Sequence, residues 1–350
     1  MSKRIVIMAG GTGGHVFPAL AVAQYLETQD WQVSWIGTHR GMEHRIVPAN
    51  NIEIDWLTVN GVRGKGFLAL FKMPLMLIKS CLEARKILQI RKPDVVLGMG
   101  GFVAGPGGLM AKLMGIPLVI HEQNRVPGTT NRLLSGIANK VLQAFPDSFA
   151  TAKSAIFTGN PLRKALTQQH SKKQCHSDVL HILVIGGSLG AQRLNEVVPE
   201  ALALLNRPVE VRHQTGTAMY QAVVQAYQEK LLKAQVTEFI DDVLDAYTWA
   251  DLVVCRAGAM TVSEVAALGV PSILVPYPYA IDDHQTANAQ YLADSGAGIL
   301  LAQQQLTGAF LAEQIIYCST RLEAMAKAAR QSAKMNATEL VAEQCIEAGA

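Results

Sequence analysis

The chain of 350 residues is poor in charge and in aromatic side chains, with Asp, Glu, Lys and Arg at 17% and Phe, Trp and Tyr at 6%. Soluble proteins average about 25% charged residues, so part of the apolar surface is available to be covered. The net charge of +3 is far from the basic balance of most nucleic-acid binders, and no nucleic-acid partner is expected. Five cysteines without a CxxC pair argue against a disulfide framework or a zinc ribbon and fit a reducing compartment. No apolar run reaches the ~20 residues of a membrane-spanning helix. Phe67–Ile78 comes nearest and contains Lys72 and Pro74. The opening Lys3-Arg4 and Ile5–Ala9 are too short for a signal peptide and lead straight into glycines, so they read as a first β-strand.

Signature motifs are missing as well. There is no GxSxG nucleophile elbow, no Walker GxxxxGK[ST] loop and no DxD pair. His284 beside Asp282 and Asp283 has no second His or Cys at ligand spacing. Neither a protein-bound metal nor another cofactor is expected.

What is present is a rhythm. Apolar runs at Ile5–Ala9, Val33–Ile36, Val95–Met99 and Leu118–His121 alternate with helical patterns at Pro18–Glu27 and Leu75–Gln89. The rhythm restarts after the polar stretch 167–178, which reads as a linker, with strands at Leu180–Ile185, Val209–His213, Leu252–Cys255 and Ser272–Pro276. This predicts two doubly wound α/β domains with parallel sheets, whose ligands bind at the carboxyl ends of the strands. The tail from about 309 to 348 reads as two helices. Charge divides along the same line, with 19 Lys/Arg against 9 Asp/Glu in residues 1–165 and 12 against 19 in residues 166–350. The first half therefore suits an anionic partner.

Glycine turns mark the strand ends. Gly10-Gly11-Thr12-Gly13-Gly14-His15 follows the first strand and opens a helix with Pro18 in its first turn. Glycines let a ligand approach the backbone, and the free N–H groups of a helix start favour an anion such as a diphosphate. Val16 occupies the third glycine position of GxGxxG, and no acid ends the second strand, which disfavours a dinucleotide. A second run, Gly98 to Gly108, lies between a strand and a helix, and Gly186–Ala191 forms a third turn in the second half.

Polar clusters stand beside these turns. His121-Glu122-Gln123-Asn124 ends a strand, where either a hydrogen-bonded network or a ligand must satisfy it. Arg163, in Gly159-Asn160-Pro161-Leu162-Arg163, is an interdomain brace or a phosphate clamp. Arg256–Glu264 begins a helix with small and hydroxyl residues, and Glu264 suits paired hydroxyls such as those of a ribose; helix capping is the competing explanation for Thr261, Ser263 and Glu264. Gln285 and Asn288 share a helix face. Between Gly61 and Lys92 eight basic residues and one acid are interleaved with Phe, Leu, Met and Ile. Packing on a sheet explains part of the apolar set, while the charge excess suits an anionic bilayer surface.

The motifs GGTGGHVFPALAVA, RGKG, KPDVVLGMGGFVAGPGG, HEQN, GNPLR, GGSLGA, TEFIDD, CRAGAMTVSE and HQTANA, in this order from residue 5 to about 300, resemble the MurG family of bacterial peptidoglycan glycosyltransferases, glycosyltransferase family 28. The resemblance implies a GT-B fold, two Rossmann-like domains facing a deep cleft. Residues 1–165, joined by the C-terminal helix at about 335–350, would bind the acceptor, lipid I, and touch the membrane; residues 166–334 would bind UDP-GlcNAc. It implies inverting transfer of GlcNAc from UDP-GlcNAc to the C4 hydroxyl of MurNAc, giving lipid II and UDP. Donor contacts would come from Thr12, Gly13, Gly14, Asn124, Arg163, Ser188, Ile240, Ala259, Met260, Thr261, Val262, Ser263, Glu264 and Gln285. Gly11, Gly13, Gly14, Gly100, Gly101 and Phe102 would hold the acceptor diphosphate, with Phe102 standing where relatives often carry tyrosine. His15 is favoured as general base, because imidazole accepts a proton near neutrality, and Glu122 is the runner-up.

Membrane contact would fall on Lys65, Phe67, Phe71, Lys72, Leu75, Ile78 and Lys79, placing the protein peripherally on the cytoplasmic face of the inner membrane, with cell-wall synthesis and division proteins as partners. Two other readings stay open on the residues alone. A sugar-nucleotide epimerase on the same plan would turn over the donor without an acceptor lipid, and a non-catalytic lipid or nucleotide binder would turn over nothing.

Overall fold

In the computed structural model the apolar runs pair into two parallel sheets. The structure describes residues 2–58, 67–151, 154–168, 178–187 and 189–350; for residues 67–73 and for Ile281 it describes the backbone alone. The chain divides into two units, residues 1–163 with 334–350, and residues 164–333. The expected linker at 167–178 lies largely outside the described residues, and the division falls earlier, after Arg163.

The first unit runs β1 (Arg4–Met8), α1 (Gly13–Glu27), β2 (Gln32–Gly37), α2 (Glu43–Ala49), β3 (Glu53–Trp56), α3 (Phe67–Arg91), β4 (Val95–Gly98), α4 (Gly101–Leu113), β5 (Leu118–Glu122), α5 (Thr129–Leu134), β6 (Lys140–Gln143) and β7 (Ile156–Phe157). Its strand order is β3-β2-β1-β4-β5-β6-β7, so the direction of winding reverses between β1 and β4. The strands are continuously apolar because both faces are covered. Ile5 and Ile7 face α1, through Val16 and Ala19, while Val6 and Met8 face Leu88 of α3 and Val103 of α4.

The second unit runs α6 (Lys164–Thr167), β8 (Leu180–Ile185), α7 (Gln192–Ala203), β9 (Val209–Gln214), α8 (Tyr220–Glu229), β10 (Ala234–Thr237), α9 (Val243–Trp249), β11 (Leu252–Cys255), α10 (Ala259–Leu268), β12 (Ser272–Leu274), α11 (His284–Asp294), β13 (Gly298–Leu300), α12 (Gly308–Ser319) and α13 (Leu322–Ser332). Its order, β10-β9-β8-β11-β12-β13, reverses between β8 and β11. The last helix, α14 (Ala337–Ala348), belongs to the first unit, where Val341, Ala342 and Cys345 enter the core shared by α1 and β4.

Several local expectations are corrected. The tail holds three helices rather than two. Arg321 breaks the helical path between α12 and α13, and Ala333 takes an extended conformation (φ −79°, ψ 146°) before α14. No Gly or Pro marks either break, so no local signal revealed them. Helix α1 starts at Gly13, not near Pro18, because the Thr12 carbonyl already accepts the N–H groups of His15 (3.1 Å) and Val16 (3.2 Å). Pro18 therefore sits in the second turn. Helix α3 begins at Phe67 and passes through Pro74 instead of starting after it. The second glycine run lies mostly inside α4, where Gly108 leaves room for Leu134; a Cβ there would be 2.9 Å from its Cδ1.

Among the described residues, each unit buries one histidine that stays uncharged. Burial pulls His121 down from 6.5 to about 4 and His213 to about 3. His213 is held by the Tyr227 hydroxyl at Nδ1 (2.9 Å) and by Asn195 Oδ1 at Nε2 (3.0 Å). Both imidazoles bind protons more readily in the unfolded chain, so their contribution to stability is complete above pH 6.5 and is lost as the pH falls towards 4. At about 1.4 kcal/mol per pKa unit this amounts to a few kcal/mol for each ring. Melting followed by circular dichroism is expected to show a Tm that declines steadily from pH 6.5 to 4; a Tm unchanged across that window contradicts the assignment.

Candidate active site

In the first unit the turns after β1 and β4 flank the point where the winding reverses, the place where open α/β sheets bind ligands. They touch backbone to backbone. Gly101 has φ +76°, and a Cβ there would lie 2.8 Å from the Gly10 carbonyl oxygen. Neither α1 nor α4 has a side-chain cap at its start, an arrangement that favours an anion there. Beneath the first turn lies a carboxylate that sequence reading missed. Glu43, fully buried, accepts the N–H of Gly11 (2.9 Å), the N–H of Thr38 (2.9 Å) and the Thr38 hydroxyl (2.7 Å).

The polar cluster at the end of β5 resolves into two groups. Glu122 spends both carboxylate oxygens on its own loop, accepting from the backbone N–H of Asn124 (3.0 Å) and Gly128 (3.1 Å) and from the side-chain amides of Asn124 (3.3 Å) and Asn131 (2.9 Å). Gln123, also buried, lies between two imidazoles: its Oε1 is 2.8 Å from His15 Nδ1 and its Nε2 is 3.1 Å from His121 Nδ1. His15 is partly exposed in the first turn of α1. Phe102, on the first turn of α4, is exposed.

The second unit carries a cavity of about 760 Å³ at its own reversal point, lined by Gly186, Gly187, Gly190, Arg193, Arg256, Thr261, Tyr277, Gln285 and Gln303. Beside it the turns after β8 and β9 also touch backbone to backbone. Gly190 has φ +76°, and any Cβ there would overlap the Thr215 carbonyl. Arg256 is fixed by the carbonyls of Val275 and Pro276 (both 3.1 Å) and by Gln303 Oε1 (2.6 Å); Arg193 donates to the Leu306 carbonyl (2.8 Å). Gln285 Oε1 accepts from the Tyr277 N–H (2.9 Å), and buried Asn288 on the same helix donates to the Ala257 carbonyl (3.2 Å). Two guanidinium groups, glycine backbone and the uncapped start of α10 make this a pocket for an anion of diphosphate size.

Comparison with known proteins decides the family. The glycosyltransferase family 28 N-terminal domain matches residues 5–143 and the family 28 C-terminal domain matches residues 181–344. The chain belongs to glycosyltransferase family 28. It is 58% identical to a UDP-N-acetylglucosamine--N-acetylmuramyl-(pentapeptide) pyrophosphoryl-undecaprenol N-acetylglucosamine transferase from Methylococcus capsulatus, over 99% of both chains. Among solved structures it resembles MurG of Acinetobacter baumannii, with a TM-score of 0.85, 42% identity and 99% of each chain covered. A UDP-GlcNAc 2-epimerase from Neisseria meningitidis has a TM-score of 0.69 at 15% identity, covers 99% of this chain and all of its own, and shares the fold alone. Two parallel-sheet units with these relatives make this the GT-B fold expected from the motifs.

Within this family 28 chain the expected site residues scatter in an informative way. Thr261 and Gln285 line the second unit's pocket. Ala259 and Val262 are buried, which leaves only their backbone to meet a ligand. Met260 is partly exposed, and the Ser263 hydroxyl donates back to the Ala259 carbonyl (2.9 Å). Glu264 accepts from the Tyr247 hydroxyl (3.2 Å), and partly exposed Ile240 precedes α9, which Asp242 caps. Neither Thr261 nor Glu264 caps α10, whose N-cap is Gly258, so the capping explanation does not apply. Ser188 and Lys65 lie outside the described residues. Thr12, Gly11, Gly13, Gly14, Gly100, Asn124 and Arg163 all belong to the first unit, with the Arg163 guanidinium 5.5 Å from the Phe17 ring. Arg193, Gln303 and Tyr277 were missed, since nothing in their local sequence marks them. Arg256 had a signal, standing directly before the small-residue turn.

Proposed function

We propose that the chain transfers N-acetylglucosamine from UDP-GlcNAc to the C4 hydroxyl of the N-acetylmuramyl unit of lipid I, giving the β-1,4-linked disaccharide of lipid II and UDP in peptidoglycan synthesis. The observation that carries this is 58% identity, over 99% of both chains, to a protein named for that reaction. The second unit's pocket suits the UDP moiety, with Arg193 and Arg256 neutralising the diphosphate as it leaves. The first unit's paired glycine turns suit the acceptor diphosphate.

The chemistry is a single displacement. The acceptor hydroxyl oxygen attacks the anomeric carbon, the bond from that carbon to the phosphate oxygen breaks, and UDP departs with the electron pair. The hydroxyl proton passes to a base, for which His15 fits better than Glu122. His15 is partly exposed at the crevice, whereas the Glu122 oxygens are occupied by four N–H donors. No metal held by the protein enters this scheme.

Purified protein with UDP-GlcNAc and a short-chain lipid I analogue is expected to release UDP and form disaccharide only when the lipid is present, with EDTA added. Donor turnover without lipid contradicts the transferase reading. His15→Gln is expected to lower kcat by ~10² or more while the donor KM stays within about twofold. A pure KM effect reassigns His15 to binding.

No helix among the described residues is long and apolar enough to cross a membrane. The proposed peripheral contact comprises exposed Leu75, Ile78 and Lys79 on α3, and exposed Leu113 on α4 and Leu133 on α5, at 69% and 73%, support it. These helices pack side by side. Of the other expected contacts, Phe67, Phe71 and Lys72 lie on α3. Apolar side chains beside a basic segment suit an anionic leaflet, here the cytoplasmic face of the inner membrane. Vesicle co-sedimentation is expected to rise with anionic lipid content and to fall for Leu75→Glu/Leu113→Glu; binding indifferent to anionic lipid contradicts the assignment.

A further inference from the structure

The fully described hydrogen bonds of His15, Gln123 and His121 determine which ring nitrogen of His15 carries its proton. The chain of deduction starts at Gly159, whose carbonyl can only accept. His121 Nε2 lies 2.9 Å from that oxygen and must therefore carry hydrogen, which leaves the neutral ring's lone pair on Nδ1. Gln123 Nε2 lies 3.1 Å from that Nδ1 and 3.2 Å from the His121 carbonyl. Both are acceptors, so the amide NH₂ faces them and the amide cannot be turned round. Gln123 Oε1 then faces His15 Nδ1 at 2.8 Å, and Nδ1 must donate.

We propose that Gln123 and His121 are positioning residues that lock His15 as its Nδ1–H tautomer, leaving Nε2 as the site that takes up a proton. This rests on His15 being the base of the proposed reaction. The lock is built into the unit at several points. Gln123 is buried, and its carbonyl accepts from the Asn160 amide (3.1 Å), while the His121 carbonyl also accepts from Asn131 (2.9 Å). Gly100 leaves room for the ring; a Cβ there would be 3.2 Å from His15 Cε1. Burial keeps His121 near 4, and a charge on His15 lowers it further, so His121 stays neutral when His15 gains a proton. The far end of the relay therefore does not move during turnover. A tautomer lock of this kind acts on proton transfer rather than on substrate affinity, because the wrong tautomer presents N–H where a lone pair is needed.

Nitrogen-15 NMR of the full-length protein with labelled histidine, His15→Gln serving to assign the signal, reads the tautomer directly. Neutral His15 is expected to show a protonated Nδ1 and an unprotonated Nε2; a proton on Nε2 in the wild-type protein overturns the proposal without any variant having to fold. Gln123→Leu is expected to release the lock, with the His15 signal moving towards the Nε2–H form and kcat falling ~10-fold or more, while calorimetric affinity for UDP stays unchanged. Unchanged tautomer and kcat in Gln123→Leu overturn it. If the wild-type ring shows the expected tautomer but His15→Gln keeps full kcat, the lock stands and only the assignment of His15 as base falls.

Discussion

Both units depend on one constraint: two turns at the carboxyl end of a parallel sheet meet with no side chain between them. In the first unit Gly101 presses on the Gly10 carbonyl, and in the second Gly190 presses on the Thr215 carbonyl, both glycines at φ +76°. An alanine at either place meets backbone, which cannot swing aside as a flexible side chain can. In the first unit the contact joins the ends of β1 and β4, between which the winding reverses; in the second it joins the ends of β8 and β9, beside the reversal between β8 and β11, and the helices α1, α4, α7 and α10 that follow the strands at the two reversals start without side-chain caps.

The two sites then diverge according to what each has to handle. The pocket of the second unit carries fixed charge, with Arg193 and Arg256 tied to carbonyls and to Gln303, the preorganisation that the proposed departure of a diphosphate calls for. The crevice of the first unit carries neutral donors and acceptors around His15, in keeping with the role proposed for it as base. Its buried carboxylates, Glu43 and Glu122, are each occupied by several N–H donors and serve to shape loops.

Much of this was legible in the sequence, for identifiable reasons. Buried parallel strands are continuous apolar runs, so β1, β4, β5, β8 and β11 stood out, and glycine runs after β1, β4 and β8 marked their turns. The family was legible because many motifs recur in one order. What stayed hidden depends on partners far apart in the chain. Glu43 is recognisable only once Gly11 and Thr38 are seen to donate to it, and the tautomer of His15 only through Gln123, 108 positions away. The break between α13 and α14 lay beyond sequence reading for another reason: Ala333 leaves the helix without Gly or Pro, at the point where the chain passes from the second unit back to the first.

The division of labour between the units is the central claim, and calorimetric titration of UDP into two glycine variants tests it most directly. Gly190→Ala is expected to weaken UDP binding by at least ~10-fold, about 1.4 kcal/mol, whereas Gly101→Ala is expected to bind UDP as the wild-type protein does while losing turnover with lipid acceptor. Undiminished UDP affinity in Gly190→Ala, or an equal loss in a folded Gly101→Ala, would contradict the account.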